Sequence, residues 1–302
     1  MRFRFIDLVV SLAVVVALAV GTLAVSRNAQ ENAVIVECQQ RLGRIGQALA
    51  MYSGTYDGQF PRTRYDPAAP LTAYTAPDGP QPAANDTTAA MFLLARTIEL
   101  PPDAFTCPSA VRHGLAEDDT FDRRTAKLRH NFRARLNVNY ALANMYPDAA
   151  AVAAGYSLDR YAERLPAKFV IAADTGPGPA DARTVTTQMS RGQIRTANSP
   201  NHERDGQNVL TADGAVQYYN AATIGVDYDN IYTGRPDTLQ PASATDTVLV
   251  PAWQEGPALL PALVVGRRWT LVFAVVVTFV ALFWVVRNGL KGRGPVVDPG
   301  AD

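Results

Sequence analysis

This 302-residue chain has little of what an enzyme of its length usually displays. It has three histidines, His113, His130 and His202, and none stands in an H-E-x-x-H pair or beside a second close metal ligand. No G-x-S-x-G elbow, Walker loop or G-x-G-x-x-G turn occurs. A zinc-hydrolase reading needs His202, Asp205 and Asp213 to converge from separate positions. Net charge is absent too: 28 Lys and Arg balance 28 Asp and Glu. Without a basic excess, nothing points to nucleic acid. A non-enzymatic chain with no catalytic residues and no small-molecule substrate is the expectation. Cysteine is nearly absent, with only Cys38 and Cys107, and no proline precedes Pro61.

What the chain has in quantity is long uncharged apolar sequence. Leu8–Val25 and Trp269–Val286 carry no charge. Each is long enough to cross a bilayer core at ~1.5 Å per residue. The alternatives are a cleaved secretory signal for the first and a buried core helix for the second. Trp269 and Trp284 near the ends of the second run suit two interfaces. Arg2 and Arg4 outnumber Arg27 across the first run. Arg287, Lys291 and Arg293 outnumber Arg267 and Arg268 across the second. Both comparisons place both termini in the cytoplasm, and the central domain outside it, at a bacterial inner membrane. The division is then 1–25 (first transmembrane half-helix), 26–233 (extracytoplasmic α+β domain), 234–268 (Pro/Ala/Thr-rich linker), 269–286 (second transmembrane helix) and 287–302 (cytoplasmic tail). In an oxidising compartment Cys38 and Cys107 are expected to pair, stabilising the fold by roughly 4 kcal/mol; two buried free thiols are the alternative.

Periodicity predicts one helix from about Ile6 to Ser53. Its outer half is striped by Val34, Cys38, Leu42, Ile45, Leu49 and Tyr52. Arg41, Arg44 and Gln47 lie off the stripe and are expected to face water. Gly54 is placed for a cap, before the Asp57-Gly58 turn. A second helix is predicted over Asp86–Glu99. Strand signals follow at Asn137–Met145, Lys168–Ala173 and Gln207–Tyr219, the last with Asp213-Gly214 as a hairpin turn.

Three motifs stand in order along this framework. Cys38, Leu42, Ile45, Gly46, Ala48, Leu49 and Tyr52 form the first, and Cys107-Pro108-Ser109 the second. The third is "NSPNHERDGQNVLTADGAVQYY", with His202, Asn208, Val209, Leu210, Asp213 and Gly214. "GVDYDNIYT" follows as a tail. Over residues 3–233 the chain resembles the pilin-like proteins of type II secretion and type IV pilus systems. It is most similar to the pseudopilin-like family of planctomycete prepilin-like type. The resemblance implies an α+β pilin fold: a long N-terminal helix, transmembrane then amphipathic, packed on an antiparallel sheet. It implies Phe3 as the first mature residue and Asp7 as the acidic group at position five, although Arg2 stands where the family has glycine.

The second apolar run departs from the family and implies a membrane-resident, non-polymerising component. Its expected partners are secretion-system or pilin-like proteins, met through the N-terminal helix. The alternative is a tethered module that binds envelope polysaccharide through Tyr218, Tyr219, Tyr228 and Tyr232. His202 is read as structural, bonding turn backbone or the Asp213 carboxylate. No cofactor is expected beyond weak calcium candidates at Asp227, Asp229 and Asn230.

Overall fold

The computed structural model describes residues 5–78, 81–158, 165–178, 190–235 and 238–250. The chain divides into two compact units, Met1–Glu31 with Gly256–Asp302, and Asn32–Glu255. Helix α1 (Phe5–Thr55) begins in the first unit and continues into the second. The described side chains of the first unit have no core: Leu12 is 63% exposed and Leu18 65% exposed, and Val14, Val15, Leu23 and Val25 are also exposed.

In the second unit the stripe on α1 is buried as its spacing requires. Val34, Cys38, Leu42, Ile45, Leu49 and Tyr52 all lie in the core. Burying six such side chains contributes at most roughly 9–18 kcal/mol. Off the stripe, Gln47 is exposed, as expected. Arg41 is instead largely buried, with 13% of its side chain exposed. Its guanidinium donates to the Asp103 and Thr106 carbonyls at 2.7 and 3.0 Å and to Glu37 Oε1 at 2.8 Å. The helix also outruns Gly54. The left-handed residues that end it are Asp57 (φ 55) and Gly58 (φ 78), and the Gly58 N–H donates to the Ser53 carbonyl.

Helix α2 (Thr87–Thr97) is capped by Asp86, whose carboxylate accepts from the Ala89 N–H. Short helices α3 (Pro108–Arg112), α4 (Arg123–Leu128), α5 (Ala149–Ala153) and α6 (Arg191–Thr196) punctuate the later chain. The strands are β1 (Tyr140–Ala143), β2 (Val170–Asp174), β3 (Gln207–Thr211), β4 (Val216–Tyr219) and β5 (Leu249–Val250). They form one antiparallel sheet in the order β4-β3-β2-β1-β5. Every residue of β1 and β2 is buried, which fits their unbroken apolar runs at the centre of the sheet. β5 pairs with β1 and lies where the sequence showed no strand signal.

Helix α1 packs on the sheet at Gly46. A Cβ there would stand 2.9 Å from Leu210 Cδ2 of β3, so only glycine permits the approach without repacking.

One expectation is overturned. The α+β class and the antiparallel sheet are present, but among the described residues no helix is long and apolar enough to cross a membrane. The first expected span, Leu8–Val25, falls within α1 (Phe5–Thr55) and is not supported as a membrane span. The second expected span, 269–286, and the tail 287–302 lie outside the described residues, as do 251–268 of the linker.

Candidate functional site

Among the described residues of the second unit, a connected set of polar side chains is buried. β2 runs as the apolar stretch Val170–Ala173 and then ends on Asp174, which is fully buried. The register sets Tyr140 of β1 opposite Asp174 on one side. On the other side, the Asn208 main-chain N–H donates to Asp174 Oδ2 at 2.7 Å and Asn208 Nδ2 donates to the same oxygen at 3.2 Å. Asn201 Nδ2 donates to Asp174 Oδ1 at 2.9 Å. The Tyr232 hydroxyl donates to the Asp174 carbonyl at 2.8 Å.

A single-turn helix, Pro200–His202, brings His202 to this carboxylate. Its start is fixed by proline and by Ser199, whose hydroxyl accepts from the Asn201 N–H. Glu203 and Arg204 then take left-handed angles (φ 53 and 62), turning the chain sharply into β3. His202 Nε2 lies 3.3 Å from Asp174 Oδ2, 3.1 Å from Asn208 Nδ2 and 3.5 Å from Cys107 Sγ. The Tyr218 ring packs edge-on against the imidazole.

Cys107 stands at the N-cap of α3 and is bonded to Cys38 of α1 in a disulfide with Cα atoms 5.2 Å apart. Its N–H donates to Asn139 Oδ1 at 2.6 Å, and Asn139 Nδ2 donates to Asn201 Oδ1 at 3.0 Å. The Tyr140 hydroxyl donates to the Cys38 carbonyl at 3.3 Å. Helix, α3 turn, sheet and the Pro200–His202 turn are thus tied through one continuous network.

Burial, reinforced by the Asp174 carboxylate, pushes the Tyr140 and Tyr232 phenols well above their ordinary range. Both remain neutral O–H donors. The Asp174 carboxylate accepts from amide donors at both oxygens, so its hydrogen bonds are made inside the domain. Asp174, Asn208, Cys38 and Cys107 have no solvent exposure and His202 has 2%.

The sequence-predicted residues fall into three places. Cys38, Cys107, His202 and Asn208 meet in the centre. Asp213 and Gly214 sit at the exposed β3–β4 turn, where Asp213 Oδ1 accepts from Thr211 Oγ1 at 2.6 Å and from the Ala215 N–H at 3.1 Å. Gly214 has φ +83, the left-handed angle the turn requires. Of the two partners expected for His202, turn backbone or the Asp213 carboxylate, the carboxylate it meets is Asp174 rather than Asp213. Asp205 pairs with Arg195 at 2.8 Å, so His202, Asp205 and Asp213 do not converge. Phe3 lies outside the described residues, as does the side chain of Asp7.

In the tail, Asn230 Oδ1 accepts from the Tyr232 N–H at 3.1 Å, while Asp229 Oδ2 accepts from the Thr247 N–H at 3.2 Å. Asp227 is exposed. The four tyrosines do not line one groove: Tyr232 is buried, Tyr218 packs on His202, and Tyr228 is exposed.

Sequence reading missed Asp174, Asn139 and Asn201. Asp174 is the polar residue that closes an apolar run, and Asn139 lies within a strand signal; both were visible as charge or amide adjoining buried sequence.

No protein-family model, curated protein or solved structure matches the chain.

Proposed function

We propose that this chain is a non-enzymatic structural and interaction protein of the pseudopilin-like kind. It works outside the cytoplasm as a component of a type II secretion or type IV pilus-like system, and it engages the helix of another pilin-like subunit through the N-terminal part of α1. The observation that carries this reading is the change of character along one helix. From Val34 onward α1 buries a single stripe in its own domain, whereas Leu12, Val14, Val15, Leu18, Leu23 and Val25 are exposed. Apolar surface of that extent on one helix calls for cover. Each such side chain gains about 1.5–3 kcal/mol when fully covered.

The polar centre supports the same reading. It binds α1 to the sheet, and it is closed to solvent, so it favours a structural role over turnover. The buried disulfide supports residence in an oxidising compartment.

Photo-crosslinking in the native cells tests the proposal, with the crosslinker placed at Leu12, Leu18 or, as control, Gln47. Adducts from Leu12 and Leu18 to the helix of a pilin-like or secretion-system protein are expected, with none from Gln47. Failure of both apolar positions to form such adducts would sink it.

A further inference from the structure

We propose that the buried centre is a latent metal site: with the Cys38–Cys107 bond reduced, it takes one thiophilic divalent cation of the zinc class through Cys38 Sγ, Cys107 Sγ and His202 Nε2. These three atoms lie within 4.8 Å of one another, and all three residues are buried. A nitrogen at about 2.0 Å and a sulfur at about 2.3 Å from a tetrahedral zinc stand about 3.5 Å apart. That is the separation already held between His202 Nε2 and Cys107 Sγ, 3.5 Å. Forming the site therefore needs the two sulfurs to part and His202 Nε2 to exchange its Asn208 Nδ2 contact for the cation, without the histidine having to travel.

The surroundings suit a cation. The Tyr218 ring fixes the plane of the imidazole, and Asp174 Oδ2, 3.3 Å from Nε2, places a carboxylate within reach of the fourth position. Three elements distant in sequence supply the ligands: α1, the N-cap of α3 and the turn before β3. The cation would hold the same junction that the disulfide holds.

The chemistry balances with a dithiol as reductant. Its two electrons cleave the S–S bond, the dithiol closes to its own disulfide, and Cys38 and Cys107 are left as thiols. The cation then displaces one proton from each thiol, and two protons leave to solvent. Because the disulfide is fully buried, the exchange proceeds through local opening, and the oxidised, closed form does not bind.

The test uses the full chain, reduced with a phosphine in denaturant and refolded without oxygen in the presence or absence of cobalt(II) as a zinc probe. The expected result is one cobalt per chain, with thiolate-to-cobalt absorption in the near ultraviolet and tetrahedral ligand-field bands. The oxidised chain should show neither. In the reduced chain His202→Ala, which removes a direct ligand, should weaken binding by more than the about tenfold that loss of an outer-shell partner costs. Cys107→Ser should remove about half of the thiolate-to-cobalt intensity, one of two sulfurs. A reduced chain with native far-ultraviolet dichroism and no thiolate band overturns the proposal. So does a band unaffected by His202→Ala, or a reduced chain that fails to refold whether or not metal is present.

Discussion

Asp174 Oδ2 accepts the main-chain N–H of Asn208 at 2.7 Å, a bond in which a side chain at the end of β2 takes the place of a backbone carbonyl toward β3. The same oxygen receives Asn208 Nδ2, and the other receives Asn201 Nδ2. Removing the carboxylate leaves three buried donor bonds without an acceptor, each in a place that water does not reach. Asp174→Ala should therefore destabilise the domain by about 3–5 kcal/mol. Asp174→Asn keeps one acceptor oxygen and should cost less, about 1–3 kcal/mol. Urea unfolding checks both: the midpoint should fall in that order while the slope stays constant.

The disulfide joins residues 69 apart in sequence. In the chain-entropy view, closing a loop of that size contributes about 4 kcal/mol. The double variant Cys38→Ala, Cys107→Ala should lower Tm by roughly 8–16 °C at about 2–4 °C per kcal/mol for a domain of this size. Thermal scans followed by circular dichroism measure it. A loss of only a degree or two would mean that the buried stripe, the Tyr140–Cys38 hydrogen bond and the Arg41 bonds already hold α1 in place without the covalent bond.

Periodicity made α1 legible, because the Val34-to-Tyr52 stripe repeats over five turns and nothing in the local sequence competes with it. The β3–β4 hairpin was legible because Asp213-Gly214 has few conformations open to it. Half of the candidate site was visible through Cys38, Cys107, His202 and Asn208. Its other half, Asp174 with Asn139 and Asn201, depends on which strands lie side by side, and a strand order of β4-β3-β2-β1-β5 has no local signature. The short β5 escaped for a related reason. Leu249–Val250 forms a strand only because β1 offers a free edge, a tertiary effect that two residues do not encode.

Gly46 tests the contact between helix and sheet. A Cβ added there meets Leu210 Cδ2 at 2.9 Å and Cδ1 at 3.1 Å, and Leu210 is itself buried. Gly46→Val should cost about 1–3 kcal/mol through overpacking, despite any change in helix propensity. Leu210→Ala makes room at the same point. In a double-mutant cycle the pair should be less destabilised than the sum of the single variants, by about 0.5–3 kcal/mol. Strict additivity would show that Gly46 does not face Leu210 in solution.

The alkaline side of the stability profile should be governed by Asp229. Burial first, and then the hydrogen bond and charge of the facing Asp246 carboxyl, push Asp229 up to about 8. A group whose folded value exceeds its unfolded value of 3.8 holds its proton more firmly in the folded chain. Its stabilising contribution is complete below pH ~4 and is lost progressively as pH rises to about 8. Asp119 behaves oppositely. Its burial works to raise it, but the Arg129 hydrogen bond and the Arg133 N–H outweigh this and hold it below the usual carboxylate range. That contribution is lost only in acid, outside the window that Asp229 governs. Discounted for its partial contact with solvent, the Asp229 effect between pH 5 and 8 should be about 1–2 kcal/mol. Asp229→Asn carries a neutral side chain at every pH, so urea midpoints of the variant should vary less over that range and exceed the wild type at pH 8. If wild type and variant decline in parallel, the Asp229–Asp246 pair does not share a proton and the alkaline loss has another source.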